Sequence, residues 1–181
     1  MSSLEPLPDM AQGVEWAFEI PFRCESSMSI VFPQPGGCLC GSVRYQILED
    51  PLLAYACHCT DCQTASGSAF ALCLTTPLSS IEVTEGEPSV RTILLKGPRE
   101  WNFALCASCA TRLWSVNKNR PEVVSVNSGT LDDTSWVYPV AHIWVASALD
   151  WAPISDDALT YPGKPGDPRE MIRAWRKRPS R

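Results

Sequence analysis

The stretch GGCLCGSVRY, residues 36–45, sets two cysteines one residue apart between glycines and follows them at once with a period-two run. In SVRYQI, residues 42–47, Val43, Tyr45 and Ile47 fall on one face of a strand. Much further along, LCASCATRLW, residues 105–114, repeats the plan: Cys106 and Cys109, then a strand-like TRLWSV. Two tight pairs that the fold brings together supply four thiolates, the donor set of a closed tetrahedral zinc site. Cys38, Cys40, Cys106 and Cys109 would then fasten two ends of a sheet, with part of the folding free energy coming from metal binding. Glycines beside such pairs let backbone amides turn towards the sulfurs. Gly37 and Gly41 meet that requirement and Ala110 does so less well.

Outward from these two pairs the chain is a series of short β segments. IEVTEG places Ile81 and Val83 on one face, WNFAL does the same with Trp101, Phe103 and Leu105, and EVVSVN and AHIWVA are β-branched and aromatic. Turn residues separate them at 35–37 (PGG), 85–88 (EGEP), 96–98 (KGP) and 127–133 (NSGTLDD). Sixteen prolines leave little room for long helices. The expected fold class is therefore mainly β, with antiparallel sheets and few short helices, over a domain spanning residues 36–162.

Two segments flank that domain. Residues 1–35 form an N-terminal extension in which VEWAFEIPF alternates strictly, with Val14, Trp16, Phe18, Ile20 and Phe22 apolar. This predicts an edge strand, or an arm across a homodimer partner, unless Met28 is the natural start and the upstream residues are loosely attached. Residues 163–181 are a basic tail with seven Lys/Arg and two Asp/Glu on a chain whose net charge is −5. Met171, Ile172 and Trp175 sit there at helical spacing, which predicts a short amphipathic helix packed on its own domain.

The bulk figures exclude several function classes. A net negative charge argues against a nucleic-acid-binding surface over the whole molecule. No apolar run approaches a membrane span, and MSSLEPLPDM lacks the basic start and apolar core of a secretory leader. A cytoplasmic, reducing compartment follows as the expectation. Nine cysteines there, an odd number with tight spacings, indicate metal ligation in preference to disulfides.

YACHCTDCQTASGSAF, residues 55–70, holds three more of them in six residues: Cys57, Cys59 and Cys62. Three protein ligands and one exchangeable position are how catalytic zinc sites are built. His58 lies between two would-be ligands and should point away from the ion they share, which makes it a residue of the surroundings or the surface. Cys73 reads as a small buried residue, and nothing local marks Cys24 as reactive. A zinc ion with three thiolates is a poor activator of water but a good holder of a further soft thiolate, and a coordinated thiol is deprotonated at neutral pH. The chemistry points to a thiol substrate or a thiol carrying one, although a small oxygen ligand would also fill the position. Gly67 and Ser68, just beyond, could offer an amide and a hydroxyl to bind a substrate anion.

In order and spacing, GGCLCGSVRYQ, CHCTDCQTASGSAF, CASCATRLW, NSGTLDD and HIWVASALDWAPISDDALTY resemble the glutathione-dependent formaldehyde-activating enzyme family (the GFA domain). The resemblance runs from about Gly36 to Tyr161, and all seven motif cysteines match. It implies a β-tent fold of small antiparallel sheets around a structural zinc held by Cys38, Cys40, Cys106 and Cys109. It also implies a catalytic zinc on Cys57, Cys59 and Cys62, two zinc ions per chain. The implied activity is that of a carbon–sulfur lyase, joining formaldehyde and glutathione as S-(hydroxymethyl)glutathione. Ala110 departs from the glycine common in the family, at about 1 kcal/mol if positive φ is required. Residues before Met28 and the basic tail lie outside the resemblance.

Two other readings stand beside that one: a related lyase, dehydratase or isomerase acting on a small carbonyl metabolite without glutathione, and a non-catalytic zinc-binding interaction module. Glutathione's negative charge would call for local cations, and Arg44, Lys96, Arg99 and Arg112 are available. His142 reads as a structural hydrogen-bonding histidine ahead of a general base.

Overall fold

In SVRYQI the predicted alternation is realised, with Val43, Tyr45 and Ile47 all buried. The computed structural model describes residues 30–95 and 99–178. The expectations for residues 1–29, Cys24 among them, and for the turn at 96–98 lie outside the described residues. Strands β1 (Gln34–Gly37), β2 (Arg44–Ile47) and β5 (Ile81–Glu85) form a small antiparallel sheet in the order β1-β2-β5. The large sheet has eight strands. From the first edge these are β11 (Leu159–Tyr161), β10 (Ala141–Ile143), β3 (Leu53–Cys57) and β4 (Ala71–Pro77), then β9 (Val123–Asn127), β8 (Arg112–Asn117), β7 (Arg99–Leu105) and β6 (Ser89–Leu95). Two α-helices, α1 (Thr60–Ser66) and α2 (Arg169–Arg176), and three short 3-10 turns complete the described elements. The molecule is mainly β.

The two sheets enclose the core. Tyr45 and Ile47 from the small sheet pack with Ala54, Leu74, Val124, Val126, Leu113 and Trp114 from the large one. The rings of Tyr45 and Trp114 meet edge to face at 5.4 Å, and the Tyr45 hydroxyl pairs with Thr130 Oγ1 at 2.7 Å. That contact leaves no room for a side chain at residue 36: a Cβ on Gly36 would lie 2.6 Å from the Thr130 carbonyl and 2.7 Å from the Tyr45 ring.

Because paired residues of adjacent strands share a face, the register also defines the side turned away from this core. Tyr55 faces Cys73, which faces Asn127, and Leu105 faces Arg112 across a bulge. WNFAL does place Trp101, Phe103 and Leu105 together, but on this second, half-buried side, while Ala104 points into the core. A small residue fits the tightly packed interior and the larger rings line the outer side.

One expectation is corrected and two are refined. The sheets are mainly antiparallel, as expected, with β10 alone running parallel to its neighbours β3 and β11. AHIWVA is a strand only as far as Ile143, because Trp144 takes a left-handed conformation (φ 60°) and Val145–Ser147 forms a 3-10 turn. Ile81 and Val83 do share a face, paired with Ile47 and Tyr45, while Val83 is 40% exposed, as befits an edge strand of the small sheet.

At the C-terminus α2 buries Met171 and Trp175 against the domain, next to β3. Trp175 Nε1 donates to Asp50 Oδ1 (3.2 Å), and the Arg178 guanidinium stacks over the indole at 3.7 Å while pairing with Asp50. Among the described residues no helix is long and apolar enough to cross a membrane.

Candidate functional site

Cys38 and Cys40 lie in the turn between β1 and β2, and Cys106 and Cys109 in the turn between β7 and β8. One pair therefore comes from each sheet. Their four sulfurs lie within 4.8 Å of one another, with Cys38–Cys40 at 3.5 Å and Cys40–Cys106 at 3.7 Å. Zinc–sulfur bonds of about 2.3 Å in a tetrahedron place sulfurs roughly 3.8 Å apart, so this set fits such an ion.

The backbone around the four sulfurs is organised to favour thiolate. The Val43 amide donates to Cys38 Sγ at 3.2 Å. Cys109 is held down at about 5, first by the Thr111 hydroxyl and then by the Thr111 amide. Gly41 (φ 78°) and Ala110 (φ 58°) make the corresponding left-handed turns in the two loops, their amides donating to the carbonyls of Cys38 and Cys106. Gly37 is needed for a different reason: a Cβ there would meet Arg44 and the Val43 carbonyl at 2.7 Å.

The second cluster is built at one strand end. Cys57 closes β3, Cys59 is the N-cap of α1, and Cys62 lies in the first turn of that helix. Their sulfurs also lie within 4.8 Å of one another, Cys57 and Cys59 being 3.6 Å apart, and no fourth ligand joins them among the described residues. The Cys59 sulfur accepts the Cys62 amide. Donation from the Cys57 and Cys62 thiols lowers the Cys59 thiol below its ordinary range. Cys57 is pushed up by that same donation to Cys59. Three sulfurs this close together are a donor set suited to a soft cation.

The loop carrying these cysteines is pinned through His58. Its carbonyl accepts Gln63 Nε2 (2.8 Å) and Ser147 Oγ (3.0 Å), and its amide donates to Ile143. The ring turns away from the sulfurs, as anticipated, but into the interior and not to the surface. Its Nε2 meets His142 Nδ1 at 2.9 Å, with both rings buried and Phe70 packed against them. Burial lowers both histidines below their ordinary range and so favours the neutral form of each. The partner of His142 is thus His58, 84 residues away.

Gly67 is the left-handed C-cap of α1 (φ 63°), and its amide donates to the Gln63 carbonyl. Ser68 follows it and is exposed. Cys73 is buried, and its thiol is pushed up to about 11 by that burial. Beside it Tyr55 is pushed well above the ordinary phenol range, again by burial, with its hydroxyl 3.4 Å from Ser125 Oγ. The sequence motifs do not mark Tyr55, Gln63 or Ser147 as site residues. For Tyr55 the available signal is its position two residues before Cys57 on an alternating strand, and for Ser147 there is none.

The family model described as "Glutathione-dependent formaldehyde-activating enzyme" matches residues 33–147. A Halomonas elongata protein named "Putative glutathione-dependent formaldehyde-activating enzyme" is 28% identical over 152 residues, which cover 79% of this chain and 94% of that protein. The crystal structure of a Rhodobacter sphaeroides protein aligns with 70% of this chain and 98% of its own, at 18% identity and a TM-score of 0.43.

Proposed function

The chain belongs to the glutathione-dependent formaldehyde-activating enzyme family, and from that premise we propose that it is a carbon–sulfur lyase working at Cys57, Cys59 and Cys62. The substrate pair would be a small aldehyde and a thiol, with formaldehyde and glutathione as the first candidates. In the forward direction the thiol gives up its S–H proton, its sulfur bonds to the carbonyl carbon, the carbonyl π pair moves to oxygen, and that oxygen takes up one proton in return. The reverse step releases thiol and aldehyde.

A zinc ion on the three cysteines would supply a soft, open position at which a thiol loses its proton at neutral pH. The remaining work falls to the chain. Gln63 and Ser147 hold the loop through the His58 carbonyl, and the buried His58–His142 pair fills the space behind it. Tyr55 and Cys73 keep their protons near neutral pH, so the wall beside the sulfurs presents no negative charge to an incoming thiolate. Cys38, Cys40, Cys106 and Cys109 would hold a second zinc whose role is to join the two sheets.

The observation that carries this reading is the contrast between a closed set of four sulfurs and a set of three without a fourth ligand among the described residues. Metal analysis tests it. Two zinc ions per chain are expected, falling to one in Cys57→Ser together with loss of S-(hydroxymethyl)glutathione formation. One zinc per chain, unchanged by Cys57→Ser, would remove the mechanism.

A further inference from the structure

We infer that Arg112 is the residue that receives a carboxylate of the thiol substrate. The inference rests on the reading of Cys57, Cys59 and Cys62 as the thiol site. Of the four cations available in the sequence, Lys96 lies outside the described residues. Arg44 is paired with Asp132, beside the four-cysteine loops, and Arg99 is paired with Asp61 at 3.0 Å. Arg112 pairs with no carboxylate of the described residues.

Its setting is that of a cation prepared for a ligand. The guanidinium lies over the Phe103 ring, 4.8 Å from the centroid, on the half-buried outer side of the large sheet. Its Nε is buried and has no hydrogen-bond acceptor. A desolvated donor on a charged group is unfavourable unless an acceptor arrives. The backbone at 112 is also held in place, since Asn127 Nδ2 donates to the Arg112 carbonyl at 2.7 Å.

The register connects this cation to the sulfurs. Asn127 faces Cys73, Cys73 faces Tyr55, and Cys57 follows two residues later on the same side of β3. From β3 to β8 there are three strand spacings, about 14 Å between backbones at roughly 4.8 Å each. The Arg112 side chain and an elongated ligand anchored by its thiol at Cys57, Cys59 and Cys62 can bridge that distance between them. A thiol carrying a carboxylate at its far end suits this arrangement, and a short neutral thiol leaves Arg112 unanswered. Tyr55, Cys73 and Ser125, between the two ends, offer neutral polar contacts and no competing anion.

The test is calorimetric binding of glutathione and of glutathione diethyl ester to the zinc-loaded full chain, with Arg112→Gln, Arg112→Lys and Cys59→Ser compared after equal melting temperatures are checked. The wild-type chain should prefer glutathione over the ester by about 10- to 100-fold, the range of a charge-assisted contact. Arg112→Gln should remove that preference by weakening glutathione alone, and Arg112→Lys, which keeps the charge and not the fork, should retain part of it. Cys59→Ser should weaken both ligands equally, because they share the thiol. Equal affinity of the wild-type chain for the two ligands, or equal weakening of both by Arg112→Gln, overturns the inference. A selective Arg112→Gln effect beside an inert Cys59→Ser instead overturns the three-cysteine reading and leaves Arg112 as a carboxylate site. Binding of neither ligand by the wild-type chain overturns both.

Discussion

Replacing Ala110 by glycine should make this protein more stable. Ala110 has φ 58° in the loop between Cys109 and β8. A left-handed conformation costs a residue with a Cβ about 1–2 kcal/mol. Its methyl group is exposed, so removing it gives up no packing, and the amide bond to the Cys106 carbonyl (2.9 Å) is untouched. Against the relieved strain stands the extra freedom of glycine in the unfolded chain, worth about 0.4–1 kcal/mol. The balance is a gain of roughly 0.5–1 kcal/mol, or about 1–4 °C in Tm for a chain of this size. Scanning calorimetry of the zinc-loaded protein measures it, with Ala107→Gly as the control. Ala107 is exposed in the same turn and is not among the residues with positive φ, so there glycine should destabilise by the entropic amount alone. An Ala110→Gly protein that melts at or below the wild-type temperature, or that moves in the same direction as Ala107→Gly, would refute the strain argument.

Other consequences can be measured as directly. Trp175 is fully buried and bonded to Asp50, so Trp175→Ala should lose about 3–5 kcal/mol in urea unfolding; a loss under 1 kcal/mol would mean that α2 is not part of the cooperative unit. Burial pushes the Tyr45 hydroxyl up to about 12 from an ordinary 10. A folded-state value above the unfolded one gives stability that is complete below pH 10 and is lost as pH rises through 12, about 2–3 kcal/mol in all. Urea midpoints between pH 8 and 12 should fall accordingly, and Tyr45→Phe should flatten that decline; an equal decline in the variant would assign it elsewhere. A zinc chelator should empty the three-cysteine site first with circular dichroism unchanged, and the four-cysteine site later with loss of structure, because only the second joins the two sheets. Simultaneous loss of both metals and the fold would contradict that division.

Much of the fold and of the site is legible in the amino-acid sequence alone. The cysteine pairs stand out because metal ligands in one loop must be one to three residues apart, and Val43, Tyr45 and Ile47 because a strand with one buried face alternates. The close spacing of Cys57, Cys59 and Cys62 is legible in the same way, but that Cys59 and Cys62 share a helix start is not. The parallel strand Ala141–Ile143 is not legible, since its pairing with Leu53–Cys57 depends on a long crossover and leaves no short-range mark. WNFAL shows the limit of periodicity: alternation indicates two faces, but only packing against Tyr45 and Trp114 decides that Ala104, and not the aromatics, faces the core.

What the sequence determined by itself is the inventory of chemistry: seven cysteines in two patterns that could hold metal ions, short strands broken by prolines and turns, and a helical tail. Tertiary structure decided what each group is near. It brought one cysteine pair from each sheet together, buried His58 on His142, and left Arg112 over Phe103 while pairing Arg44 and Arg99 with carboxylates. The reason is range. Ligand spacing and strand period are properties of neighbouring residues, whereas desolvation, charge pairing and sheet register depend on residues tens of positions apart that meet only when the chain has folded.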